Sequence, residues 1–375
     1  MNTHADQWQK LNDSGSIVAK LATIHQVMQK HLPFISRIAV AMYDAKTDYL
    51  STFAYSSAET SPLTHYQAKL ADCFALHEIA KTGQPRVIND LAIYADSEHI
   101  HAQIIYHSGY RASYTLPLFW DGHLLGFIFF NAHEHNVFDE KVLNELDVIA
   151  HMITLMLYNE KSHINTLLAT LKSAIEMTHS RDPETGCHLE RMSRYARLIA
   201  QNLAEKHHLS DQYIEHIFLF APLHDLGKLA IPDRILLKAG ALTEEEFAVM
   251  RTHSQEGHRL IDKLLANYGL HGITHVDMLR NIALHHHEAI DGSGYPMQLI
   301  GDAIPLEARI VTVADVFDAL TSKRPYKEAW TNEAAFAHLR KLANVKLDAE
   351  CVEALLQSPK NIIEIQQAFK ENSFG

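Results

Sequence analysis

Four apolar segments in the second half of this chain carry imidazoles and carboxylates where helical periodicity calls for core. "IFLFAPLHDLGKLAIP" buries His224 and Asp225 in a strongly apolar run, with Lys228 one turn on. "MLRNIALHHHEAI" sets Leu279, Ile282 and Ala283 on one helix face that His286 and His287 extend, with His285 pointing away, solvated or supporting its neighbours. "RIVTVADVFDALTS" interrupts Ile, Val, Ala, Phe and Leu with Asp315 and Asp318. In "RDPETGCHLERMSRYARLIA", Glu184 and His188 lie four apart and share a helix face. An ionised carboxylate buried without a partner costs several kcal/mol, so these acids require cations. The bland alternative is an Asp225–Lys228 ion pair with His224 filling core.

The remaining histidines are read by spacing. "TEEEFAVMRTHSQEGHRLI" places His253 and His258 five apart, about 140° around a helix, so one serves a shared centre and the other is exposed. Adjacent helical residues diverge by about 100°, so His286 and His287 suit two neighbouring metals better than one. Of 27 histidines, most, such as "HEH" at 133–135, are solvated. Imidazole with carboxylate and no thiolate suits iron, manganese, zinc or nickel. Two or more ions a few ångströms apart are the usual machinery of phosphoester hydrolysis.

A length of 375 residues predicts two domains, and 47% hydrophobic residues supply their cores. The net charge of −12 argues against general affinity for nucleic-acid polymers or anionic membranes, so a phosphate substrate needs a local cationic site. Cys73, Cys187 and Cys351 are too few and too far apart for a disulfide framework. The opening "MNTHADQWQKLNDSGS" has no signal sequence and no apolar run spans a membrane, so a cytoplasmic protein is expected.

The first half has a different texture. Residues 16–31 predict a helix capped by Ser14 or Ser16. "SRIAVAMYDAKTDYLSTFAYSS" predicts two strands around an Asp/Lys turn, and "ASYTLPLFWDGHLLGFIFFNA" a hairpin through "DG". "YQAKLADCFALHEIAKTG" reads as a helix ending at Gly83. The region 32–138, with 1–31 and 139–158 packed on it, is thus an α+β domain, an antiparallel sheet flanked by helices. It resembles a GAF domain. "NAHEHNVFDE" holds Asn131 and Phe138-Asp139-Glu140 but lacks the lysine and spacing of cyclic-nucleotide-binding members. The resemblance therefore implies a structural or dimerising module whose ligand, if any, it does not name. From 139 to 180 a linker helix is predicted. Leu146, Ile153, Leu167 and Ala174 repeat at seven on one stripe, and Leu157, Ile164 and Leu171 on its neighbour. Such a helix either packs on its own domains or seams a parallel homodimer; the dimer is the reading adopted.

Residues 181–375 are expected to be all-α. "HDLGK" at 224–228, "HHE" at 286–288, "DGSGYP" at 291–296, "IPLEARI" at 304–310, "ADVFDALTS" at 314–322 and "RPYK" at 324–327 stand in the order of the HD-GYP family. This chain resembles that branch of the HD metal-dependent phosphohydrolases, whose members degrade cyclic di-GMP. The resemblance implies that His224 and Asp225 are paired ligands, Asp225 bridging two ions, and that His253, His286, His287 and Asp315 complete the set. Glu184 and His188 match members with a third metal. Iron is the implied metal, manganese the second choice. Lys228 would lie at the scissile phosphate, and Arg324 and Lys327 would bind phosphate. Gly294 would let the loop bend, Tyr295 contact substrate and Pro296 fix the turn. The implied reaction is hydroxide attack that opens cyclic di-GMP to linear pGpG, with a second round giving GMP. Ala289 and Ile290 replace the Arg and Trp of the common "HHERWDG", which leaves 3′,3′-cyclic GMP-AMP as an alternative substrate. A non-catalytic dinucleotide-binding protein is a further alternative.

Overall fold

The computed structural model describes residues 6–13, 15–59, 61–95, 100–178, 186–268, 275–322 and 328–370. The chain divides into two compact units, Met1–His163 and Ile164–Gly375.

The first unit is a six-stranded antiparallel sheet in the order β3-β2-β1-β6-β5-β4. Its strands are β1 Ile35–Asp44, β2 Tyr49–Ser57, β3 Gln67–Lys69, β4 Arg86–Ile88, β5 Ala112–Trp120 and β6 His123–Ala132. The β5–β6 hairpin turns at Asp121-Gly122, both with positive φ, as the Asp-Gly pair predicts. Period-two alternation sorts the side chains. Ile38, Val40, Tyr114, Leu116, Ile128 and Phe130 pack on one face, under helices α1 Ile17–Met28 and α4 Glu140–Thr178. Helix α1 starts at Ser16, whose hydroxyl accepts from the Ala19 amide. The other face carries Phe127 against Leu76 and Ile79 of α2, Phe74–Thr82, and α3 spans Ile100–His107.

Two expectations are corrected here. Residues 67–69 form an edge strand on β2, and the helix read across this region begins only at Phe74. Gly83 does end it, in the left-handed conformation. On α4, Leu146 and Ile153 of one stripe and Leu157 of its neighbour are buried in the first unit's own core, so these three positions serve intramolecular packing and not a seam. Leu167, Leu171 and Ala174 have side chains outside the described residues.

The second unit is helical: α5 Gly186–His207, α6 Asp211–Phe220, α7 Asp233–Leu236, α8 Glu244–Arg251, α9 His253–Tyr268, α10 Val276–His285, α11 Leu306–Thr321, α12 Asn332–Leu342, α13 Ala349–Leu356 and α14 Pro359–Ala368. Its core gathers Ile199, Phe220, Leu265, Ile282, Val313 and Phe317 from α5, α6, α9, α10 and α11. Helix α8 opens with a full capping box between Thr243 and Glu246. Among the described residues, no helix is long and apolar enough to cross a membrane.

Candidate metal centre

Five elements converge on one point of the second unit. His188 comes from α5, His224 and Asp225 from the turn after α6, His253 from the start of α9, His286 and His287 from the end of α10, and Asp315 from α11. Their donor atoms form two groups, Asp225/His253/His286/His287 and His188/His224/Asp315, within each of which all lie within 4.8 Å of one another.

Asp225 stands between the groups. Its Oδ2 is 3.2 Å from His224 Nε2, while its Oδ1 is 3.2 Å from His253 Nε2 and 3.6 Å from His286 Nε2. What brings α9 this close is Gly227. A Cβ there would sit 1.8 Å from the His253 carbonyl oxygen, so only glycine lets the 226–230 turn lie against the helix. Lys228 Nζ also reaches Asp225 Oδ2, at 2.8 Å. The ion pair of the bland alternative therefore exists, but His224 turns its Nε2 to the carboxylate and is not mere filler.

The imidazoles are held in one tautomer by their own backbone. Nδ1–H donates to the Ala221 carbonyl from His224 (3.0 Å), to Met250 from His253 (2.8 Å) and to Ile282 from His286 (3.0 Å). In the neutral ring this leaves each Nε2 lone pair aimed at the cluster. His253 Nε2 and His286 Nε2 then face each other at 3.4 Å. Two lone pairs and a carboxylate directed at one another repel unless a cation lies among them. Burial lowers the pKa of His286 and, with His286 beside it, pushes His287 far down, so both rings are neutral and able to ligate at neutral pH. Burial pushes the Asp225 carboxyl up, but its neighbours, the Lys228 ammonium foremost, outweigh it and hold it well below its usual range. Neutral imidazoles around an ionised carboxylate fit hard or borderline divalent cations.

Asp318 is not a ligand. It lies wholly inside, accepts Nδ1–H of His188 at 2.8 Å and takes the Arg191 guanidinium bidentately, at 2.7 and 2.9 Å. That arrangement turns His188 Nε2 toward Asp315 Oδ1, 3.7 Å away. Sequence reading placed Asp318 beside a cation correctly but did not see that the cation is Arg191.

The helix carrying the three histidines ends at His285. The 100° argument therefore fails for His286 and His287, which follow the helix and bring their rings within 4.1 Å in the same group. His285 is partly buried, with Nδ1 3.7 Å from Glu288 Oε1. His258 lies outside the cluster, 3.5 Å from Asp262. Glu288, quoted in "HHE" without a role, is buried and accepts the amides of Met297 (2.7 Å) and Leu299 (3.0 Å). It fastens the loop after Tyr295. Gly294 has no left-handed angle; its need is space, since a Cβ would meet the Ala289 nitrogen at 2.3 Å. The loop folded this way lays the Tyr295 ring 4.8 Å from His287, ahead of Pro296. Arg251 of α8 stands 5.4 Å over that ring, a contact no motif announced. Glu184, Arg324 and Lys327 lie outside the described residues.

Residues 173–351 match the HD domain family and residues 21–157 the GAF domain family. The chain therefore carries an N-terminal GAF domain and a C-terminal HD domain, the class that the sheet and the helical metal centre define. More particularly, it is 47% identical over 206 residues to the cyclic di-GMP phosphodiesterase response regulator RpfG of Xanthomonas campestris pv. campestris, which covers 55% of this chain and 51% of that one. It is 41% identical over 207 residues to a probable cyclic di-GMP phosphodiesterase of Vibrio cholerae (54% and 47%). It is also 32% identical over 261 residues to the 3′3′-cGAMP-specific phosphodiesterase 2 of the same organism (65% and 48%). The chain spans about half the length of these curated relatives.

Proposed function

We propose that the second unit is a metal-dependent phosphodiesterase of the HD-GYP branch that opens cyclic di-GMP to linear pGpG and, in a second round, cleaves that to GMP. The observation that carries this reading is Asp225 set between two groups of imidazole and carboxylate donors. Names of relatives at 41–47% identity support the same substrate. Two ions would be held by His224, Asp225, His253, His286, His287 and Asp315, and a third would add Glu184 and His188. Iron is the first choice and manganese the second. Such ions would supply Lewis acidity at phosphoryl oxygens and acidify bound water.

The protein's own groups do the rest. Asp225 and the imidazoles position the reacting centre. Lys228, 22% exposed beside Asp225, offers a proton or a positive charge to the 3′ oxygen as it leaves. Tyr295 presents a ring face to a base. Its hydroxyl stays protonated, because burial and the Asp225 charge both push its pKa up. Arg324 and Lys327 supply the local positive charge that a chain of net charge −12 lacks.

A second reading, preference for 3′,3′-cyclic GMP-AMP, draws on the 32% relative and on Ala289 and Ile290 before the loop. We also infer a homodimer through the GAF domain and linker helix, on a different face from the buried stripe. Val148 and Leu155, seven apart on α4, are 70% and 53% exposed; L155E should then shift the mass measured by light scattering from dimer to monomer. The reading includes a cytoplasmic location, which three free thiols fit. Anaerobic purification with metal analysis, then chromatography of products from each cyclic dinucleotide, tests the main reading. The His224→Ala/Asp225→Ala double variant should lose turnover and metal together. An unchanged rate in that variant refutes the assignment, and dinucleotide binding without turnover in the metal-loaded protein supports a signalling role instead.

A further inference from the structure

Helix α8 ends at Arg251 and α9 begins at His253, and this one corner leaves the first side chain exposed while it buries the second in the metal centre. The corner is fixed at both ends of α8. Thr243 and Glu246 form the capping box at its start, and at its finish His253 Nδ1–H donates to the Met250 carbonyl at 2.8 Å. Arg251 therefore rides on a braced helix and not on a loop tip.

The Arg251 guanidinium carbon lies 4.5 Å from the centre of the Phe247 ring, one turn back on α8, and 5.4 Å from that of Tyr295. Cation–π contact with two rings orients the guanidinium. Among the described residues, Arg251 has no hydrogen-bond acceptor and no carboxylate partner, so its N–H fork is unused. Tyr295 in turn lies 4.8 Å from His287 and 6.2 Å from His253, ring centre to ring centre. The fork thus stands one aromatic ring away from the metal ligands. A nucleotide whose phosphate sits at the ions carries its sugar and base beyond them, into this region. Closer in, the phosphate meets Lys228, 2.8 Å from Asp225.

We propose that Arg251 reads a guanine of the substrate, donating from its fork to O6 and N7 with the Tyr295 ring beside it as a stacking surface. An arginine bidentate to those two atoms is the commonest specific contact to guanine, whereas adenine replaces the O6 acceptor by an N6 donor that a guanidinium cannot meet. Unpaired bases are held in general by stacking on aromatic rings and guanidinium planes. The inference deepens the phosphodiesterase reading and rests on it. It makes guanine the requirement at this subsite, so cyclic di-GMP and 3′,3′-cyclic GMP-AMP are both admitted and cyclic di-AMP is turned away.

The test compares kcat/KM for cyclic di-GMP and cyclic di-AMP in the metal-loaded full chain and its R251A and R251K variants. The parent should favour cyclic di-GMP at least about tenfold, and both variants should lose that preference at unchanged metal content. R251K keeps the charge but not the fork, so it separates base reading from phosphate binding. A parent that cleaves both equally, or variants that keep its preference, would overturn the inference and leave the phosphodiesterase reading standing. So would a loss shared equally by both substrates and restored in R251K, which marks a phosphate contact, or metal loss from R251K, which marks a prop for His253. If the holoenzyme cleaves neither substrate, dissociation constants from calorimetry replace the rates. A preference in binding that collapses in both variants then upholds the guanine contact and removes the phosphodiesterase reading; no binding of either dinucleotide removes both.

Discussion

Asp318 shows how a buried charge is made useful twice. It neutralises Arg191 and orients His188 through one carboxylate. D318A strands the guanidinium in the interior, and breaking such a pair costs about 3–5 kcal/mol. It also frees the imidazole, and losing a ligand's supporting partner typically lowers metal affinity about 10–100-fold. Chemical denaturation and metal titration of the variant should show both losses; normal metal affinity would mean that His188 is not a ligand. His216 is a different case, buried beside Phe220 and His275, outside the cluster. Burial, with His275 adding to it, lowers its pKa to about 4, although its Nδ1–H donates to the Gln212 carbonyl. The unfolded chain takes up that proton near 6.5, so acid favours unfolding. The stability contributed by neutral His216 is complete above about pH 6.5 and is lost as pH falls toward 4, about 2 kcal/mol of it by pH 5. Urea unfolding at pH 7.5 and 5 should show a flatter pH dependence for H216L than for the parent; parallel slopes would refute this.

At the scale of elements, the site depends on two close approaches. The turn at 226–230 touches α9 through Gly227, and G227A must push His253 away from Asp225. The expected outcome is a loss of about 1–3 kcal/mol from overpacking and fewer bound metal ions per chain by elemental analysis. The loop at 291–299 is tied down by Glu288. E288A leaves the Met297 and Leu299 amides without their acceptor, and because water reaches this part-buried loop the cost should stay below the roughly 1–3 kcal/mol of a fully buried orphan donor. Hydrogen exchange at Met297 and Leu299 should quicken in that variant while metal content holds. These contacts also mark what the sequence disclosed at this scale. Residues such as His224 and Asp225 were legible because polar groups stood in an apolar period. The end of α10 at His285 was not, because nothing local separates the first histidine of the run from the next two. Glu288 was overlooked for a similar reason: its partners are backbone amides nine and eleven residues on, which no side-chain pattern encodes.

Among the described residues, each unit carries its own core, clusters on the two faces of the sheet in the first and one among the helices in the second. A ligand of one unit should therefore act on that unit's unfolding. Manganese or ferrous iron at a hundredfold excess over Kd should stabilise the second unit by about 2.7 kcal/mol, a rise of about 5–11 °C in its Tm. Scanning calorimetry should show this rise in one transition and none in the other, with a chelator reversing it; a uniform shift of both would tell against independent units. The amino-acid sequence by itself determined the succession of a sheet domain, a long helix and a helical domain, because periods of two and 3.6 residues are local properties. It also determined which imidazoles and acids needed cations, because burying them in apolar helices is costly wherever they end up. The tertiary structure alone decided which charge meets which: Arg191 beside Asp318, and Asp225 between two groups of donors. Such pairings join residues scores of positions apart, and the energy that selects them exists only once the helices and strands have packed.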